Sequence, residues 1–144
     1  MELSLSLRTA FYDALNGNIT SNGQPVPIYD VFAIPEQPKY PYILLSSQTA
    51  TQRNVQRCKV YDASLLVDIV TGSTDPIGRE QSEEIAGQIE DIVIPSDFTD
   101  LIAPGGYVIG DTWREQDFED TNKNDIYYIY RKLIRYNFII SKSN

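Results

Sequence analysis

The alternation of apolar and polar positions is strongest between Ile126 and Ile140, IYYIYRKLIRYNFII. Its even positions are apolar except for Lys132, and this period of two, rich in aromatic and β-branched residues, predicts a β-strand. Fifteen residues at about 3.3 Å each span roughly 50 Å, whereas a compact chain of this size has a radius of gyration of about 14–15 Å. The strand is therefore bent, broken in two, or extends past its own domain, where it would leave a backbone edge for a partner.

A 3.6-residue period predicts two amphipathic helices. The first covers residues 4–16, with Ser4 or Ser6 as its N-cap and Gly17 as its stop. The second begins at the segment Gly72–Pro76, in which a Ser, Thr or Asp cap precedes proline, and runs to about Val93. Its expected buried stripe is Ile77, Ile85, Ile89 and Ile92, and its expected solvent-facing residues are Glu80, Glu83, Glu84, Glu90 and Asp91.

Four further strands are predicted from apolar and alternating runs, at Ile28–Ile34, Tyr42–Thr49, Cys58–Thr71 and Tyr107–Asp117. Proline, glycine and polar residues predict the connections at Asn18–Pro27, with the turn Asn22-Gly23, and at Pro35–Pro41, Gln48–Gln56 and Phe118–Asp125. In the Cys58–Thr71 strand the odd positions are apolar, and we expect the opposite face, with Asp62, Ser64 and Asp68, to be wet.

The order helix, three strands, helix, two strands predicts one α+β domain over residues 1–144. We expect a mainly antiparallel sheet with two α-helices packed on one face and a long protruding β-hairpin at 107–140. Residues predicted to lie in the core beneath Ile85 and Ile89 are Tyr61, Leu65, Val67, Ile134, Tyr136 and Phe138.

The net charge of −8 is unevenly distributed along the chain. Residues 75–125 hold fourteen acids and three bases, residues 126–144 hold four bases and no acid, and residues 1–74 are close to balanced. A body this acidic repels nucleic acid at long range. The acidic block is either a solvated face or a surface that meets one of opposite charge.

The residue types needed for catalysis are scarce. The chain has no histidine and a single cysteine, Cys58, so it lacks the commonest general base, a triad, an internal disulfide and a Cys-rich zinc site. The acids between Asp117 and Asp125 miss the spacing of a calcium loop, and Gly72 and Gly78 make no phosphate loop. We therefore expect no enzyme activity, no metal and no cofactor.

The sequence gives little indication of contacts with membranes or nucleic acids. The N-terminus carries an acid at position 2 and no basic region, unlike a signal peptide, and no apolar run has the length of a membrane span. Arg53, Arg57 and Lys59 fit a polar loop tip better than a nucleic-acid site. Trp113, in the hydrophilic stretch DTWREQD, either caps the core edge or is an exposed interface anchor.

Several local signatures, in order, resemble the tail completion (tail terminator) proteins of tailed bacteriophages, which are small neck proteins at the head-proximal end of the tail. They are the amphipathic helix Leu5–Leu15, the proline-flanked strand VPIYDVFAIPEQPKYPYILL, the strand and turn LLVDIVTGSTDP, the helix pattern IGREQSEEIAGQIEDIV and a final antiparallel hairpin. The resemblance covers most of the chain. The chain differs from that family in the greater length of its 107–140 stretch and in its unusually high tyrosine content.

The resemblance implies a structural virion protein of the neck, assembled in the host bacterial cytoplasm. Members form rings, commonly of six copies and by analogy twelve under the portal, through which genomic DNA passes without sequence-specific binding. The partners implied are neighbouring copies, portal or adaptor proteins and tail proteins, with no membrane. The alternatives are a secretion-system or toxin-associated interaction module, or a small-ligand module.

Assembly contacts follow from the charge pattern and the long hairpin. We expect Trp113 and the basic residues Arg131, Lys132 and Arg135 at a subunit interface, with Glu83, Glu84, Glu90 and Asp91 as acidic partners. The 107–140 hairpin and the 47–58 loop are the expected assembly elements, and Arg53 and Arg57 are expected to touch a neighbouring ring.

Overall fold

Two helices and a mainly antiparallel sheet form an α+β fold, which confirms the predicted class. The computed structural model describes residues 2–30, 34–36, 38–53, 58–74, 78–94, 103–123 and 128–143. The helices are α1, Leu3–Leu15, and α2, Gly78–Val93. The strands are β1 Thr20–Ser21, β2 Gln24–Pro25, β3 Ile28–Asp30, β4 Tyr42–Arg53, β5 Cys58–Ser73, β6 Tyr107–Lys123 and β7 Tyr128–Ser143.

The main sheet has the strand order β3-β4-β5-β7-β6, and every neighbouring pair is antiparallel except β3 with β4. β7 pairs without interruption with β5, from Ser143 opposite Cys58 to Tyr128 opposite Ser73. Its other side pairs with β6. The long strand is therefore one unbroken element whose two edges are both occupied, and the outer edge of the hairpin belongs to β6.

The described parts of two predicted loops are strands instead, while residues 54–56 and 124–125 of these loops lie outside the described residues. β4 continues through the expected loop Gln48–Gln56 as far as Arg53, after a bulge between Leu45 and Gln48. β6 continues through the expected hairpin tip Phe118–Asp125 as far as Lys123. Backbone pairing with β5 and β7 extends these strands although their side chains are polar and mostly exposed, because a sheet edge does not require alternation.

The remaining boundary differences are small. β3 is shorter than the expected Ile28–Ile34, and residues 31–33 lie outside the described part. Gly72 and Ser73 end β5, while Asp75, Pro76 and Ile77 of the expected helix start lie outside the described residues. The predicted turn Asn22-Gly23 joins β1 to β2, with φ of 52° and 77° at its two positions.

Helix α1 begins without the serine cap expected for it. Glu2 is its N-cap and makes no side-chain capping bond. Ser6 is buried, and its hydroxyl donates to the Pro104 carbonyl oxygen at 2.5 Å, so it fastens α1 to a distant segment instead. The expected stop is confirmed, since Gly17 follows the helix with φ of 79°.

Both helices pack on the same face of the sheet. The even positions of β7 and the odd positions of β5 form this face, and the ring centroids of Phe11 on α1 and Phe138 lie 5.5 Å apart. Five of the six predicted core residues are fully buried, and the sixth, Tyr61, is partly buried against the core. Ile85 and Ile89 of α2 are also fully buried, as predicted.

Candidate interaction surfaces

The sheet face opposite the helices, here called the open face, is tied together by polar contacts between strands. Arg131 on β7 forms an ion pair with Asp68 on β5, whose side chain is only 2% exposed. Arg135 donates to the Ser64 hydroxyl at 2.8 Å and to the Ser47 hydroxyl at 3.1 Å. The expectation of a wet face is wrong for Ser64 and Asp68, which are buried, because β7 arginines lie across them with their apolar stems.

Two further contacts continue this row toward the ends of the strands. Arg53 donates to both carboxylate oxygens of Asp62 at 2.6 Å, with both residues exposed to solvent. The Asn137 amide donates to Glu115 at 3.1 Å and so connects β7 to β6. The open face is therefore held by cross-strand side chains in place of a helix layer.

Arg8 fastens helix α1 to the edge of the sheet. Its guanidinium donates to the carbonyl oxygens of Leu45 and Ser46, at 2.9 and 2.6 Å, at the bulge of β4. It also contacts Asp30 at 2.7 Å and the Gln48 side chain at 2.7 Å. One side chain thus satisfies carbonyls that the bulge removes from the ladder.

A second polar cluster lies on the helix face, near the first turn of α2. Glu119 on β6 is 3.3 Å from the Lys132 amine and 3.9 Å from Arg79 on α2. The neighbouring Tyr130 hydroxyl is the largest cause that lowers the pKa of Glu119, followed by Lys132 and Arg79. Burial of Tyr130, together with the Glu119 carboxylate, raises the pKa of this tyrosine to about 12.

The three basic residues expected at one interface do not share a surface. Arg131 and Arg135 lie on the open face, whereas Lys132 points to the opposite, helix-covered face and is buried. Successive residues of a strand point to opposite faces, so the adjacent positions of Arg131 and Lys132 in the sequence already indicate that they lie on different faces. Lys132 is therefore poorly placed to reach a neighbouring subunit.

The acidic residues expected at the interface lie on or beside the outer face of α2. Glu83, Glu84 and Asp91 are exposed, and Glu90 is half-buried beside Arg114, at 3.6 Å. Glu83 also accepts from Arg79 at 3.3 Å. Of the two arginines expected to touch another ring, Arg53 pairs with Asp62, and Arg57 lies outside the described residues.

Five large apolar side chains are exposed in the described part of the chain; Ile34 is one of them, and the other four lie in pairs on β6 and α1. Trp113 and Val108 on β6 are 44% and 64% exposed. They face the open side, since Trp113 lies opposite Asn137 and Val108 opposite Ser141. Leu5 and Tyr12 on α1 are 56% and 43% exposed. Trp113 is thus an exposed residue on the face away from the core.

Two clefts flank the dipeptide Tyr40-Pro41. One, of about 600 Å³, is lined partly by Glu80 and Glu84, and the other, of about 580 Å³, is lined largely by proline and tyrosine. The Tyr40 ring also lies close to Gly72 of β5, so that a Cβ there would stand 2.5 Å from the ring. Over the described ranges, no group of three metal-ligating side chains occurs, and neither α1 nor α2 has the length and apolar character of a membrane span.

Comparison with known proteins gives a likeness of fold. No protein-family model matches the chain, and no curated protein matches it in sequence. Among solved structures, it matches a chain of the virion of a native gene transfer agent particle, with a TM-score of 0.59 over 95% of this chain and 94% of that one. The two are 11% identical, so the match shows a shared fold over nearly the whole length of both chains.

Proposed function

We propose that this chain is a structural subunit of a phage-like virion, without catalytic activity or cofactor. The observation that carries the proposal is the full-length fold match to a chain of a gene transfer agent virion. The sequence signatures that resemble tail terminator proteins, from the helix Leu5–Leu15 to the final hairpin, support it independently. The finer proposal is a ring at the neck of the particle, where tail joins head.

A ring of identical subunits requires a heterologous interface, in which two different surfaces of one chain meet and the rotation closes. The exposed acids of α2 and the arginines of the open face are two such surfaces of opposite charge. We place Glu83, Glu84 and Asp91 of one copy near Arg131 and Arg135 of the next. Glu90, half-buried beside Arg114, and Lys132, buried beside Glu119, belong to the internal packing of the chain.

The acidic surface also suits a channel for DNA. Residues 75–125 carry fourteen acids against three bases, and an acidic lumen does not neutralise phosphate, so DNA slides through it without being held. The end of the β6–β7 hairpin and the outer end of β4 with Arg53 are then the parts that reach the proteins above and below. Portal or adaptor proteins and tail proteins are the partners proposed there.

Particle mass and shape test the ring directly. Mass photometry of the purified protein is expected to show six or twelve times the chain mass of 16.3 kDa, and negative-stain images should show rings with a central opening. A protein that stays monomeric at all accessible concentrations, and that is absent from purified particles of its host, would contradict the proposal. Antibody labelling of intact particles locates the ring, and labelling away from the neck would overturn the finer assignment.

A further inference from the structure

The two exposed apolar pairs lie on opposite flanks of the subunit. Leu5 and Tyr12 are seven residues apart on α1 and so share one stripe of the helix. Arg8 lies between them, and its guanidinium reaches the carbonyls at the outer edge of β4, which places the stripe on that flank. Val108 and Trp113 lie on β6, the last strand at the other side of the sheet.

The open face lacks a helix layer of its own over the described residues. Both helices pack on the other side, yet Leu66, Leu133 and Ile139 on the open face are partly exposed and, with Trp113, give this face apolar surface. Apolar surface on a sheet face is buried when a helix or a second sheet forms a further layer over it. Helix α1 offers an apolar stripe of the required kind, but it cannot reach the open face of its own chain.

We infer that α1 of one subunit docks on the open face of the next copy in the ring, with Leu5 and Tyr12 against Val108 and Trp113. This inference rests on the ring proposed above and names its apolar contact. The two patches differ in kind and lie on opposite flanks. Each copy therefore gives its helix to one neighbour and its sheet face to the other, as a closed heterologous ring requires.

Charge around the two patches is complementary. Glu2 and Asp13 are exposed on α1 beside the apolar stripe. On the open face, Arg135 is two positions along β7 from Asn137, the residue opposite Trp113. Arg135 contacts two neutral hydroxyls, those of Ser64 and Ser47. Its positive charge is available to the acids on the helix face of the next copy, both those of α2 named above and Asp13, adjacent to Tyr12 on α1.

Disulfide trapping between two single-cysteine proteins tests the contact in a Cys58→Ser background. Tyr12→Cys protein carrying a size tag is mixed with untagged Trp113→Cys protein, assembled and oxidised. We expect a mixed dimer on a non-reducing gel, and a ladder up to the ring number when one chain carries both changes. Thr51→Cys, at an exposed position of β4, replaces Tyr12→Cys in the control mixture and should give at least tenfold less product.

Different outcomes would contradict the contact between α1 and the open face and the ring itself. Rings of normal mass that give no mixed dimer, or no more than the control, would overturn the contact and leave the ring standing. Efficient homodimers of Tyr12→Cys alone would show an isologous contact and overturn it as well. Protein that remains monomeric before any substitution would overturn both the contact and the ring.

Fluorescence provides a second readout on the unmodified chain. Trp113 is the single tryptophan and is exposed in the subunit, so its emission should shift to shorter wavelength when a neighbour's helix covers it. Diluting the ring to monomers is expected to reverse the shift. A tryptophan spectrum that stays the same while the mass changes from monomer to ring would contradict the inference.

Discussion

The amine of Lys132 lies 3.3 Å from the carboxylate of Glu119 on the sheet face that α2 covers. Lys132 is the one charged residue in the apolar series of β7, and it is buried there. Glu119 on the neighbouring strand compensates it and also contacts Arg79. Removing one partner of a buried ion pair is strongly destabilising, because the other charge stays buried without compensation.

The same cluster predicts how stability changes with pH. The folded state raises the pKa of Tyr130 from 10.0 to about 12, so its contribution is complete below pH 10 and is lost as pH rises toward 12. The pKa of Glu119 is lowered from 4.5, so its contribution is present above that value and is lost as pH falls through the lowered pKa. Tyr130→Phe should flatten the alkaline loss in urea midpoints measured against pH, and Glu119→Gln the acid loss. Tyr12→Phe, at an exposed site, is the control. Identical alkaline curves for the unchanged protein, Tyr130→Phe and Tyr12→Phe would refute this account.

Breaking the Arg131–Asp68 pair should destabilise the subunit. Arg131→Ala leaves the buried Asp68 carboxylate without this partner, which costs about 1–3 kcal/mol. The double change Arg131→Ala/Asp68→Ala should cost less than the sum of the single changes, because the two side chains interact directly. Arg135→Ala, whose partners are neutral hydroxyls, is the matched control and should cost less than Arg131→Ala. Strict additivity in urea unfolding would mean that the pair contributes nothing.

Alanine substitutions at Gly72 and Gly87 should change the free energy of unfolding in opposite directions. Gly72→Ala forces its methyl group against the Tyr40 ring, within 2.5 Å of the nearest atom, and should cost about 1–3 kcal/mol as an overpacked site. Gly87→Ala on the exposed side of α2 meets nothing within 4 Å and should stabilise by about 0.5–1 kcal/mol through helix propensity. Thermal unfolding in the same buffer compares them, and a neutral Gly72→Ala would show that Tyr40 moves away freely.

Adjacent leucines on β5 test which face is the core. Leu65 is fully buried and Leu66 is partly exposed on the other face. Leu65→Ala should cost roughly 2–5 kcal/mol, as should Ile89→Ala on the buried face of α2, while Leu66→Ala should cost clearly less in the monomer. Denaturant midpoints measured at concentrations where only the monomer is present decide between them, and equal costs for the two leucines would contradict the face assignment.

Salt should weaken the proposed ring without unfolding the subunit. Exposed ion pairs contribute only about 0–1 kcal/mol each, but the ring repeats them in every copy, and the Debye length is about 10 Å at 0.1 M salt. Glu83→Lys/Glu84→Lys should lower the ring fraction in mass photometry, whereas Glu36→Lys should not. Reversing Arg131 is a poor test, because a glutamate there would lie beside the Asp68 carboxylate. A ring insensitive to salt and to these changes would be held by apolar contacts alone.

Residues that face the core were predictable from the sequence. The alternation of β5 and β7 and the helical period of α2 arise because one face of each element is buried, and this requirement places residues such as Leu65, Phe138 and Ile89 without further information. The outer halves of β4 and β6 were read as loops because exposed edge strands carry polar residues on both faces. Their strand character comes from backbone pairing to distant segments, which side-chain patterns do not report.

The polar contacts were less predictable for a related reason. Arg131 and Asp68 lie sixty-three positions apart, and only the register of β5 against β7 shows that they meet. The contacts of Arg8 were not predicted. A lone basic residue beside the buried stripe of α1 could have indicated that it binds the neighbouring sheet edge. The sequence permits both a core-edge and a surface position for Trp113, and the bulges of β6 decide its face by shifting the register.

The position of β7 between β5 and β6 has a consequence for how the subunit folds. The β4–β5 and β6–β7 pairs are hairpins between strands adjacent in sequence, and each can form locally. Joining them requires β5 to find β7 across a connection that includes α2 and all of β6, and such non-local pairing slows folding because the closure entropy is spent first. β7 is also the last described strand to leave the ribosome. Until it arrives, the apolar faces of β5 and both helices lack their main partner, so the unfinished chain is most vulnerable to aggregation and proteolysis during that interval.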